Sequence, residues 1–335
     1  MGKNILSNQL AQDDTLDEDF ADLVAGSQRP RPSQNRRGSD FKRKRADTMT
    51  PSAAAVPAEP MQRADFLPMS GALDVTSTER EWVIEHLLRF YHAKQISRVL
   101  RRVKGGKEAN VYCCQAHPDT GLEFIAAKIY RPRMLRALRN DAQYRQGRAL
   151  INAAGSVVGA RDWRLHKAIA QGSSTGRAAA QVSWVEYEYQ TMQRLHQAGA
   201  DVPRPLRSGE YTILMEYLGE MLISAPTLNL VDLDRDEAQG LYARLMRNVE
   251  LMLSLNVIHG DLSPYNVLYW EGDIKIIDFP QVVDPTQNQD ALFLFQRDVE
   301  RLCQYFSRHG VISNPKRIAR ELWERHAATR PAGML

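Results

Sequence analysis

Cysteine is scarce and long apolar runs are missing. Cys113, Cys114 and Cys303 are the only cysteines in 335 residues, too few and wrongly spaced for a disulfide framework or a zinc module. Apolar runs stay short, as in Ala291 to Phe295, whereas a membrane span needs roughly 20 such residues; no membrane association is expected. The opening Met1-Gly2-Lys3-Asn4 turns polar and acidic, so no secretory leader is expected and a reducing cytoplasm is the favoured compartment. Charge of one sign is lacking too, since 44 Lys and Arg against 40 Asp and Glu leave a net charge of +4. Apolar surface is present in ordinary amount, with 43% hydrophobic and 25% charged residues. That suits one large globular domain or two.

The near-neutral balance hides a segregated N-terminus. Residues 13–22 hold six acids, residues 29–45 hold eight bases ending in Lys42-Arg43-Lys44-Arg45, and a Pro- and Ala-rich stretch runs on to Pro68. Such sequence buries too little to offset the entropy of ordering it. Residues 1–75 therefore read as a mobile charged tail. Its basic cluster is suited to RNA or another polyanion through phosphate contacts.

Order begins near Thr78, where Thr78-x-x-Glu81 has capping-box spacing. Trp82, Leu87, Leu88, Tyr91 and Ile96 follow at roughly helical intervals. Next come Ala109 to Cys114 and Phe124 to Tyr130, separated by Asp119-Thr120-Gly121, which predict an antiparallel meander. Between strands lies Gly105-Gly106-Lys107-Glu108-Ala109-Asn110-Val111, and glycines there let backbone N–H groups approach phosphate oxygens. Lys128 sits in an apolar strand and needs water or an anion. Residues 131–181 are basic, polar and glycine-containing, so a partly helical, partly mobile insert is expected. Trp184 to Leu195 predicts a helix on which Glu188 shares a face with Met192 and Leu195. A buried acid needs a cation, and Lys128 is the obvious one. Pro203 and Pro205 close that region, Tyr211 to Gly219 reads as a core strand, and Asp234 to Asn256 reads as a long helix.

The most informative stretch is Val257-Ile258-His259-Gly260-Asp261-Leu262-Ser263-Pro264-Tyr265-Asn266, then the hairpin pattern Val267 to Trp270 and Ile274 to Ile277, ending in Asp278-Phe279-Pro280-Gln281. Asp261 stands where a loop carboxylate can orient a hydroxyl or accept its proton. Asn266 and Asp278 bring two oxygen ligands to a hairpin mouth, and oxygen is what Mg²⁺ prefers. Turn capping explains each residue singly, but not all of them in this order after a lysine strand and a glutamate helix.

Over residues 78–312 the chain resembles the RIO family of atypical serine/threonine protein kinases, most closely its RIO1-type branch. The resemblance rests on the Gly105 to Tyr112 loop, Lys128-Ile129-Tyr130, Asp141-x-x-Tyr144-x-x-Gly147, Trp184-x-Glu186-x-Glu188, His259 to Asn266, Ile277 to Gln281, and Phe295-x-Arg297-Asp298 with Arg308-His309-Gly310. It implies an α+β, two-lobed kinase-like fold: helix and N-lobe over 76–218, C-lobe over 219–312, and a C-terminal helix or tail over 313–335. ATP would lie between the lobes, with Lys107 and Lys128 at its phosphates and Glu188 holding Lys128. The backbone of Glu216 and Leu218, just after Met215, would receive adenine. Asp261 would be the catalytic aspartate, and Asn266 and Asp278 would hold Mg²⁺. The resemblance also implies that Asp278 can itself be phosphorylated, giving ATPase-like cycling, and it allows a role in ribosome maturation. Two departures stand out from ordinary protein kinases and from the family: Asp278-Phe279-Pro280 replaces D-F-G with no A-P-E after it, and 60 residues separate Lys128 from Glu188. Two other readings share some of these residues. A small-molecule phosphotransferase of the aminoglycoside or choline kinase type also uses H-G-D-x4-N, and an ATP-binding assembly scaffold would keep the cleft without the chemistry.

Overall fold

The computed structural model describes Phe66, residues 76–106, 108–131, Tyr144 and residues 146–327. The charged tail up to residue 65, Lys107, and Asp141 within the insert lie outside the described residues, as do residues 328–335.

The N-lobe starts with helix α1 (Ser77–His92). It is capped two residues earlier than the sequence suggests: the Thr76 hydroxyl accepts the Glu79 N–H at 3.3 Å. The same T-x-x-E spacing recurs at Thr76 and Glu79, and Glu79 turns inward instead of closing the box. Its carboxylate accepts from Asn110 at 2.6 Å and from the Tyr112 hydroxyl at 2.5 Å. Val83, Leu87 and Phe90, spaced to share one helical face, pack with Phe66 into a core under the sheet. Ile96, expected on the helix, begins β1 (Ile96–Lys104), because the chain turns at Lys94 with φ of 52°.

Strands β2 (Ala109–Ala116) and β3 (Phe124–Tyr130) complete the predicted meander. With β4 (Pro205–Ser208) and β5 (Thr212–Glu216) they form one antiparallel sheet in the order β1-β2-β3-β5-β4. Strand β3 is central, with Lys128 opposite Val111 on one side and Ile213 on the other. Alternation along a strand divides its side chains between faces. Ile125, Ala127 and Ile129 join the α1 core, while Ala126, Lys128 and Tyr130 face the other lobe. That alternation decides where the lysine points.

The insert contributes α2 (Trp163–Ala170), and the helix bearing Glu188 is far longer than expected: α3 runs Ser174–Gln197, capped by Ser173. The run Ala178-Ala179-Ala180 reads as small and featureless, yet alanine is the best helix former. Gly176 lets α3 pass close to α2, since a Cβ there would lie 2.1 Å from the Ala168 carbonyl oxygen. The helix stops at Gln197, before the prolines, with Gly199 at φ of 84°. Strand β4 is the element with the weakest sequence signal, four residues at a sheet edge beginning with proline.

The C-lobe holds α4 (Arg235–Ser254), the hairpin β6 (Val267–Trp270) with β7 (Asp273–Ile276), α5 (Ala291–Ser307) and α6 (Pro315–Ala327). The expected apolar stripe of α4, Leu241, Leu245, Val249, Met252 and Leu253, is buried. The core of this lobe is continuous with Val185, Met192 and Leu195 of α3. Helix α3 is thus a wall shared by both lobes, and Glu188 projects from it.

Candidate active site

Three elements bring their charged groups to one point. Lys128 Nζ on β3 lies 2.9 Å from Glu188 Oε1 on α3 and 2.6 Å from Asp278 Oδ1, which follows β7. Lys128 and Glu188 are buried, whereas the Asp278 side chain is 41% exposed. Burial alone lowers a lysine's pKa and raises a carboxyl's. Here Asp278 and Glu188 outweigh burial and hold Lys128 above its ordinary value. Burial likewise works to raise Asp278, but the Lys128 ammonium holds that carboxyl below the usual range. Burial pushes Glu188 up, against the lysine. Its other donors are the Phe279 N–H at 3.3 Å and the Tyr130 hydroxyl. Glu186, the other acid on that turn, is occupied elsewhere, accepting from Ser208 at 2.7 Å.

Asp278 sits at φ of 73°, a left-handed conformation that Asp and Asn tolerate better than most residues. One oxygen serves Lys128, and Oδ2 has no partner among the described residues. Asn266 closes a short 3₁₀ turn (Pro264–Asn266), and its amide NH₂ donates to the Asp261 carbonyl at 2.9 Å. That donation turns Oδ1 of Asn266 away from Asp261.

The loop carrying Asp261 is held from several sides. The buried Asp298 of α5 accepts the Gly260 N–H at 2.8 Å and the Leu262 N–H at 3.0 Å, and Arg297 donates to the Gly260 carbonyl. The Asp261 N–H donates to His259 Nδ1 at 3.3 Å, so Nε2 carries the proton that reaches the Ile277 carbonyl at 3.0 Å. Burial lowers the His259 pKa and keeps the ring neutral, as that pairing requires. Gly260 is at φ of 78°, and a Cβ there would lie 2.4 Å from the Gln281 carbonyl oxygen. The carboxylate of Asp261 is paired with Arg301 Nη1 at 2.6 Å.

The glycine loop is tied into the N-lobe. Gly106 N–H donates to Asn110 Oδ1 at 3.3 Å, and Asn110 is itself held by Glu79 and Arg131. At the other end of the cleft, the Glu216 N–H is taken by the Arg204 carbonyl at 2.9 Å, and Met215 is buried beside it. The Leu218 carbonyl accepts from Ala225 at 3.0 Å. An open depression of about 580 Å³ lined by Lys94, Asp119, Arg204 and Arg207 is not lined by Lys128, Glu188, Asp261, Asn266 or Asp278.

The structure therefore gathers Lys128, Glu188 and Asp278 through direct contacts and pairs Asp261 with Asn266; Met215, Glu216 and Leu218 lie at and just past the end of β5. Four residues were given no role from sequence. Arg297 and Asp298 stand as charges on an otherwise apolar helix face, Arg301 follows four residues later, and Glu108 is an acid inside a glycine loop. Burial, then the neighbouring Asp278 carboxylate, push Glu108 up to about 7. The folded chain then holds that proton more tightly than the unfolded chain. Its stabilising effect is full below the ordinary value of 4.5 and is lost as pH rises towards about 7. Asp298, pushed by burial up to about 7, acts in the same direction. Glu108→Gln is expected to flatten the fall of stability between about pH 5 and 7, read from urea unfolding at several pH values. An unchanged slope would reject the assignment.

The profile described as the RIO domain matches residues 156–318. The RIO-type serine/threonine-protein kinase Rio1 of Thermoplasma acidophilum is 30% identical over 135 residues, 40% of this chain and 69% of that protein. The chain belongs to the RIO family. More of the RIO chain aligns with longer relatives of the RIO1 type. It is 29% identical to the serine/threonine-protein kinase rio1 of Schizosaccharomyces pombe over 240 residues, 69% of this chain and 43% of that one. It is 26% identical to the human serine/threonine-protein kinase RIO1 over 257 residues, 75% and 41% respectively. The RIO chain thus spans about two fifths of the length of these longer relatives. The fold agrees with the family expectation: two lobes, α+β, around a five-stranded antiparallel sheet. Among the described residues, no helix is long and apolar enough to cross a membrane.

Proposed function

We propose that this RIO protein is a serine/threonine kinase that moves the γ-phosphoryl group of ATP to a protein hydroxyl, with Asp278 as an alternative acceptor. The observation that carries this reading is Lys128 Nζ bridging Glu188 and Asp278 at 2.9 and 2.6 Å, beside a loop that presents Asp261 and Asn266. Lys128, fixed by Glu188, would bind phosphate oxygens as a preorganised charge. The Glu216 carbonyl and Leu218 N–H would meet adenine, and Lys107 would approach the phosphates from the glycine loop. Asp261 would orient the attacking hydroxyl and take its proton.

Mg²⁺ fits the donors present. Asn266 Oδ1 and Asp278 Oδ2 are hard oxygens turned away from their protein partners. Among the described residues no three acids or histidines gather into a metal cage, which suits an ion that takes one or two protein ligands plus phosphates. Bound there, it would neutralise developing charge on the phosphates. The residues themselves contribute positioning and electrostatics rather than a covalent intermediate on the hydroxyl route.

The test is the fate of γ-labelled ATP with the full chain. Label on serine or threonine that disappears in Asp261→Asn supports the reading. Strong stimulation of turnover by small alcohols such as choline, with no label on protein, would replace it with a small-molecule phosphotransferase. The bases of residues 29–45 are the proposed contact for RNA or ribosomal particles. Co-sedimentation with such particles should weaken when residues 1–75 are deleted. All three cysteines are buried and unpaired, which suits the reducing cytoplasm proposed as the compartment.

A further inference from the structure

Helix α5 reaches the Asp261 loop through three side chains, Arg297, Asp298 and Arg301. Arg297 and Asp298 bind main-chain groups of Gly260 and Leu262. Arg301, one turn further on and on the face of Arg297, binds a side chain instead, with Nη1 at 2.6 Å from Asp261 Oδ1. The loop backbone is already fixed by Asp298, Arg297 and the His259 contact to Ile277, so Arg301 is not needed to hold it. What Arg301 fixes is the carboxylate. Among the described residues the other hydrogen bond to a carboxylate oxygen of Asp261 is from Asn266 Nδ2 to Oδ2 at 3.4 Å, too long to hold a torsion firmly. Without the guanidinium the Asp261 side chain regains its other staggered positions.

We propose that Arg301 is a positioning residue that selects the phosphoryl acceptor: by locking the Asp261 carboxylate it favours transfer to a protein hydroxyl over transfer to Asp278. This rests on the kinase reading above. The two routes differ in proton balance. When a hydroxyl attacks, its oxygen bonds to the γ-phosphorus, the bond to the bridging oxygen breaks, ADP leaves with that electron pair, and the hydroxyl proton passes to Asp261. When an Asp278 carboxylate oxygen attacks, the same bond breaks and the same ADP leaves, but no proton has to be removed. Only the first route depends on where the Asp261 carboxylate points. Arg301 is 36% exposed and Asp261 42%, so the pair borders the space an acceptor must enter.

The experiment measures γ-label on the full chain and on dephosphorylated casein, split into hydroxylamine-stable ester and hydroxylamine-labile acyl phosphate. Arg301→Gln should lower kcat for ester formation about tenfold, as expected for lost orientation, with KM for ATP within about twofold and the acyl label little changed. Arg301→Lys, which keeps a cation near Asp261, should recover most of the ester label. If both labels fall together in Arg301→Gln, the residue is merely structural and the inference fails; if neither changes, it fails as well. Wild-type chain giving no ester label, or Asp261→Asn keeping it, would overturn the kinase reading itself. Loss in Asp261→Asn with an unaffected Arg301→Gln would sink only the acceptor-selection role.

Discussion

Asp278→Asn is expected to cut ATP turnover by on the order of a thousandfold while the fold stays intact, because on the proposed kinase reading it would remove a charged metal ligand and phosphate neighbour at the point of transfer. Asparagine is the informative replacement. It accepts φ near 73° without the strain alanine would meet, and Lys128 keeps Glu188 as its partner. Thermal unfolding should therefore stay near wild type as labelling from γ-labelled ATP disappears. Turnover above about one tenth of wild type would remove Asp278 from the centre of the mechanism.

Glu188→Ala should act on both stability and activity. Glu188 is 1% exposed, and its carboxylate serves Lys128, Tyr130 and the Phe279 N–H together. Removing one member of a buried pair costs about 3–5 kcal/mol, because the remaining charge loses its compensation. Asp278 still holds Lys128, so the loss should fall at the lower end of that range. The lysine should then lean towards Asp278, raising KM for ATP. Lys128→Met alone and combined with Glu188→Ala gives the coupling between them by urea denaturation. Additive costs would show that the two side chains do not support each other.

The legible parts of this molecule were those with a strong period or an unusual spacing. Strand β3 could be read because Phe124 to Tyr130 is apolar and bounded by a turn, but which face Lys128 takes emerged only from the division of the strand between the two cores. The partnership of Lys128 with Glu188 followed from one requirement, that a buried acid needs a cation. The start of α3 was hidden because Ser174 to Gln181 carries no apolar stripe, and its helicity comes from alanine propensity and packing on α2. The Thr76 cap was missed because two T-x-x-E spacings overlap and only tertiary contacts of Glu79 choose between them. Arg301 was missed for a different reason. A lone arginine on a helix looks like a solvated charge until the helix is placed against the loop 40 positions earlier.

One contact of the insert bears on how freely the main chain after Asp278 can move. Arg148 donates to the Pro280 and Val282 carbonyls at 2.7 and 2.5 Å, while its guanidinium lies 4.5 Å from the Trp184 and Tyr187 ring centroids. Val283 then pairs with Ile258 beside the catalytic loop. The strip that follows Asp278 is thereby riveted along its main chain to both α3 and its neighbour loop. Among the described residues, these bonds restrain the main chain just after Asp278 and so limit how far it can carry that carboxylate from Lys128.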